Sequence, residues 1–86
     1  MTPRQKRVEK WILTRPVHLQ PLFREFPIGT KFIVKGRVLH MLGINEDERI
    51  IVSETYPGDD YDKAQETKEY LCLKHIRDGS VEVLKS

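Results

Sequence analysis

Only one cysteine, Cys72, occurs in the 86 residues, so no internal disulfide framework can form and folding calls for no oxidising compartment. Long apolar runs are missing too. No window approaches the roughly 18 apolar residues of a membrane span, and the basic N-terminus lacks the apolar stretch of a secretory signal. These absences point to a cytoplasmic protein without a membrane partner. Glycines are scattered singly, with Gly29, Gly36 and Gly43 fitting turns or bends, so no glycine-rich phosphate loop is present.

Candidate metal and catalytic residues are equally sparse. His18, His40 and His75 with Cys72 do not give four zinc ligands at helpful spacing. In a strand reading of 68–76, Cys72 and His75 point to opposite faces, and Cys72 between Leu71 and Leu73 reads as a small core hydrophobe. The aspartates of 59–62 fail the calcium-loop pattern: counting from Asp60, position five is Ala64 and no glycine follows; counting from Asp59, position three is Tyr61. The expectation is a chain that is not an enzyme, with no metal and no cofactor.

What is present is charge, unevenly spread. Residues 1–40 hold nine Lys or Arg against Glu9 and Glu25, whereas residues 41–86 hold six bases against eleven acids. The halves stand at +7 and −5 behind a net charge of +2. Opposed surfaces of this kind govern steering and partner choice more than fold.

The apolar pattern gives the architecture. Thr2 can cap a helix with Pro3 at its first position, Val8, Trp11 and Ile12 form one stripe, and Pro16 ends the helix near Thr14. Lys6, Arg7 and Lys10 lie on the flank opposite that stripe. The 16–30 segment is punctuated by prolines, and Leu19, Leu22, Phe23 and Phe26 at i, i+3, i+4, i+7 make a short amphipathic helix that serves as a hydrophobic lid.

From Lys31 the period changes to strands. Lys31–Leu42 reads as one strand bent at Gly36, with Lys31, Ile33, Lys35 and Arg37 on one face. Gly43–Asp47 reads as a turn and Arg49–Thr55 as the second strand. Tyr56–Glu66 reads as a long exposed loop, and Lys68–Ile76 as a third, central strand. Arg77–Ser80 reads as a hairpin turn into Val81–Leu84.

The fold class expected is therefore α+β, mainly β. A basic amphipathic helix (1–15) and a proline-punctuated short helix or linker (16–30) precede a four- to five-stranded antiparallel sheet (31–86), all in one domain. In strand count, strand length and long loop, residues 29–85 resemble the small SH3-like barrels, which implies a sheet curled into a half-barrel. That likeness is one of architecture and assigns no function.

Two binding surfaces follow from the charges. Arg4, Lys6, Arg7 and Lys10 on the helix, with Lys31, Lys35 and Arg37 on the strand face, suit a phosphate backbone, so the leading expectation is a small nucleic-acid-binding module. Trp11 is either the anchor of the helix on the sheet or a stacking platform for a base. The alternative is a protein-interaction adaptor or inhibitor, of the kind phages and plasmids carry as regulators. It would meet a partner with a basic surface through Glu54, Tyr56, Asp59, Asp60, Tyr61 and Asp62. Which holds turns on whether the two basic sets share a face.

Overall fold

Thr2 and Gln5 close the N-terminus of the first helix reciprocally. The Thr2 hydroxyl accepts from the Gln5 amide at 3.2 Å, and the Gln5 side chain accepts from the Thr2 amide at 2.8 Å. With Pro3 at the first position, this capping box starts α1, Pro3–Leu13. Thr14 ends it, as the proline at 16 requires. A single 3-10 turn, Val17–Leu19, runs into α2, Gln20–Glu25, where Pro21 falls in the first turn and costs no hydrogen bond. The computed structural model describes residues 2–84.

Strand β1, Lys31–Val34, and strand β2, Arg37–Ile44, are two strands joined by a two-residue turn rather than one bent strand. Lys35 and Gly36 both take positive φ, 51° and 80°, the geometry of a tight hairpin turn whose twist matches the flanking strands. Strand β3, Ile50–Ser53, follows a turn in which the Asn45 side chain accepts from the Arg49 amide. Leu42 is the extra residue of a bulge between Met41 and Gly43.

Beyond β3 the chain departs from the sequence reading. Part of the expected loop is a helix, α3, Tyr61–Glu66, capped by the Asp60 carboxylate on the Lys63 amide at 3.0 Å. The expected central third strand is short, β4, Glu69–Leu71, and lies at a sheet edge. At Cys72 the chain turns into α4, Leu73–Arg77, so Leu71 and Leu73 contact the core from two different elements. Cys72 is consequently exposed rather than buried. Asp78 and Gly79, the latter at φ 87°, end α4. The last strand, β5, Glu82–Leu84, crosses to the far edge and pairs with β1, so no hairpin joins it to β4.

The result is α+β: four helices and a five-stranded antiparallel sheet in the order β4-β3-β2-β1-β5. The sheet is open, with β4 and β5 as edges that do not pair with each other, and no barrel closes. One face of the sheet presents Phe32, Leu39, Met41, Ile50 and Val52 to Ile12, Leu19, Phe23 and Phe26 of the helical segment, with Ile76 and Val81 completing the cluster. The N-terminal helix thus docks on its own sheet. Phe32 is fully buried, with its ring 5.9 Å from that of Phe26. Among the described residues, no helix is long and apolar enough to cross a membrane.

Candidate functional site

The docking of α1 fixes which of its cations face the sheet. Ile12 is buried, and Trp11 meets the Phe23 ring edge-on, centroids 5.0 Å apart and planes at 87°. Residues one and two turns before Trp11 share its side of the helix. Arg4, Arg7 and Val8 therefore line a cleft of about 500 Å³ with Trp11 and Ile28. Lys6 and Lys10 are exposed and away from this cleft, whereas Arg7, expected on their flank, lies on the Trp11 side one turn earlier.

A second cleft, of about 620 Å³, adjoins the first and shares Arg4 and Ile28 with it, so the two run on as one groove. Its far wall is built by the entry to β1 and by the segment after β3. Thr30, fully buried, donates its hydroxyl to the Pro27 carbonyl at 2.6 Å, and its own carbonyl accepts from the Met41 amide at 3.1 Å. These bonds set Lys31 at the rim, opposite its register partner His40.

The segment after β3 is anchored at both ends. The Ser53 hydroxyl lies 2.8 Å from that of Thr67 and accepts from the Thr55 amide. The Tyr56 carbonyl accepts from the amides of Asp59 and Asp60, folding 56–59 into a turn. That turn places the Tyr56 ring 5.3 Å from the His40 ring, half-exposed in the groove, with Asp59 beside it. The Arg15 guanidinium lies 4.8 Å from the Trp11 ring centroid, within cation–π range.

The basic strand face expected from the sequence does not form. The two-residue turn resets the alternation, so Arg37 opposes Val34 and falls on the side of Phe32 and Leu39, not that of Lys31. There Arg37 donates to both Glu54 and Glu69, with Nη1 to Glu69 Oε1 at 3.2 Å. The hydrogen bonds to Glu69 and then Glu54 raise the Arg37 pKa further above its already high ordinary value. Lys35 lies at the hairpin turn, in a separate depression with Tyr70, Cys72 and His75. In that depression Cys72 and His75 are neighbours on one helical turn rather than on opposite faces of a strand.

Part of the charge split is therefore internal. Besides Arg37 with Glu54 and Glu69, Arg77 of the acidic half holds Glu25 of the basic half, and Arg24 holds Glu9. Arg4, Arg7 and Lys31 have no ion pair among the described residues.

The acidic set also divides. Glu54 is bound to Arg37, Asp60 caps α3, and Tyr61 and Asp62 lie in the first turn of that helix. Only Tyr56 and Asp59 reach the groove. Among the described residues, no group of three or more His, Cys, Asp or Glu is placed to hold a metal ion.

The sequence reading missed Ile28, His40 and Gly58 as groove residues. His40 carried a signal, alternating with Leu39 and Met41 on a strand, but nothing local links it to Tyr56, sixteen positions on. The chain matches no family model, no curated protein and no solved structure.

Proposed function

We propose that this chain is a small, non-catalytic nucleic-acid-binding module whose contact surface is the groove between α1 and the 56–59 turn. The reading rests on one observation. Three cations without ion-pair partners among the described residues, Arg4, Arg7 and Lys31, share a continuous groove with two partly exposed aromatic rings, Trp11 and Tyr56. A surface of this kind meets phosphates through cations that give up no internal bond to do so, releasing counterions from the nucleic acid. The rings supply apolar area that accepts bases whatever their sequence. Asp59 at the groove wall opposes a phosphate there and confines the backbone to the Arg4–Arg7 side and the Lys31 rim.

The reading relocates the site. Lys6, Lys10 and Lys35 fall outside it, and Arg37 is committed to Glu54 and Glu69. A binding titration of labelled DNA and RNA at low and moderate salt tests it. Affinity should fall with salt, and Arg4→Ala, Arg7→Ala and Lys31→Ala should each reduce the salt slope by about one. Absence of binding to any nucleic acid at low salt overturns the reading.

A further inference from the structure

Tyr56 raises a question that cationic binding alone leaves open. The residue is 52% exposed, and two neighbours lie against its ring. On one side is the His40 ring, at 5.3 Å and tilted by 55°. On another is the Cα of Gly58. A Cβ built at Gly58 would sit 2.7 Å from Tyr56 Cε1 and 2.9 Å from Cζ, distances that real Cβ atoms do not show.

Gly58 is not among the glycines at positive φ, which are Gly29, Gly36 and Gly79. Its backbone is therefore one that an alanine can adopt, and only the tyrosine ring excludes a side chain. A side chain at 58 would displace the outer end of the Tyr56 ring from where it lies.

An aromatic ring seated against His40 and half-exposed inside a basic groove offers a face on which a base can stack. A duplex gives such a ring no base face to stack on, because its base faces are covered by stacking and only base edges and phosphates are presented. A single strand presents base faces and phosphates together, the combination that stacking platforms in charged grooves take. We infer that the groove takes a single-stranded segment, one base stacking on Tyr56 beside His40 while Arg4 and Lys31 take flanking phosphates, and that the bare Gly58 leaves the Tyr56 ring its place there. This rests on the nucleic-acid reading above and adds the form of the ligand.

The test is fluorescence anisotropy at low salt, with a labelled oligothymidylate of about twenty nucleotides and a mixed-sequence, G·C-rich duplex of about twenty base pairs, which stays paired under these conditions, as probes. The wild-type protein should bind the single strand more tightly than the duplex. Tyr56→Ala should weaken single-strand binding by about five-fold or more with the salt slope unchanged, and Tyr56→Phe, which keeps the ring, should preserve it.

Gly58→Ala should weaken binding as Tyr56→Ala does, and adding it to Tyr56→Ala should cost nothing more, because both act through one ring. Thermal melts establish that each variant is folded, and the wild-type comparison of the two probes depends on no variant. Equal or tighter binding of the duplex overturns the single-strand inference and leaves the nucleic-acid reading standing. Full affinity in folded Tyr56→Ala, or an additive loss in the double variant, overturns the role given to Tyr56 and Gly58. Failure of both probes, and of an oligouridylate of the same length and its RNA duplex, to bind at low salt removes the nucleic-acid reading itself.

Discussion

Lys31 and Arg37 stand on the same hairpin, six positions apart, and the molecule uses them in opposite ways. Lys31 lies at the rim of the groove, with no ion pair among the described residues. Arg37 is clasped by Glu54 at the end of β3 and Glu69 of β4, tying β2 to the strands beyond it. A guanidinium that satisfies two carboxylates must give up those bonds before it can meet a phosphate, whereas an unpaired ammonium gives up only water. Charge count treats the two alike, and only geometry separates them. The availability of cations, and not their number, defines this surface.

The largest disturbance comes from the residue that supports both regions. Phe32, fully buried next to Lys31 on β1, packs under the hairpin against Phe26. Phe32→Ala should cost about 3–5 kcal/mol, read by chemical denaturation. In a domain this small that is most of the stability, so groove and clasp should be lost together. Survival of binding in a protein that has lost this much stability would show that the groove does not depend on the sheet beneath it.

A smaller effect of opposite sign is expected at the turn between the two cations. Lys35 holds a φ of 51°, which a residue with a Cβ tolerates poorly and asparagine accepts better. Lys35→Asn should raise stability by about 0.5 kcal/mol while leaving nucleic-acid affinity unchanged. A drop in affinity on that change would place the turn end of the hairpin in the site and blur the contrast with Arg37.

The smallest effect concerns a charge held by hydrogen bonds from one serine, first its side chain and then its backbone amide, more than by an opposite charge. Asp78 accepts from the Ser80 amide at 2.9 Å, and its hydrogen bonds with Ser80 hold its pKa below the ordinary carboxylate value, with a minor contribution from His75. A depressed pKa in the folded state means that the unfolded state binds the proton more readily. The stabilisation is therefore complete above the ordinary carboxylate pKa and disappears as pH falls through the folded value. The difference in melting temperature between wild type and Asp78→Asn should accordingly shrink on acidification from neutral pH. A difference that stays constant into strong acid would mean that the carboxylate charge contributes nothing.

How much of this was legible in the sequence depended on the range of the interactions. Both N-terminal helices could be read, because their determinants lie within four residues of one another. These are the Thr2 cap, Pro3, the Val8–Trp11–Ile12 stripe, and the Leu19–Phe26 spacing closed by Pro27. The Lys35–Gly36 turn was missed because lysine gives no sign of accepting positive φ, so two strands read as one and Arg37 was assigned to the wrong face.

The run Leu71-Cys72-Leu73 looked like a strand buried on both sides. In fact the chain changes from period two to period 3.6 at Cys72, and each leucine reaches the core from its own element. The reading of Tyr56–Glu66 as a loop overlooked that Asp60 can cap a helix, its carboxylate accepting from the Lys63 backbone amide. The site itself was half legible. Arg4, Arg7, Lys31 and Tyr56 were singled out by type, but their assembly, and the removal of Arg37 by acids 17 and 32 positions away, are tertiary facts.

The most direct test of cation availability is the salt dependence of nucleic-acid binding in Arg4→Ala and Arg37→Ala, measured side by side. Each replacement removes one positive charge, so an account based on net charge predicts the same loss for both. The groove account predicts that Arg4→Ala reduces the slope by about one and that Arg37→Ala leaves it at the wild-type value. Equal losses in the two variants, or a larger one in Arg37→Ala, would contradict it.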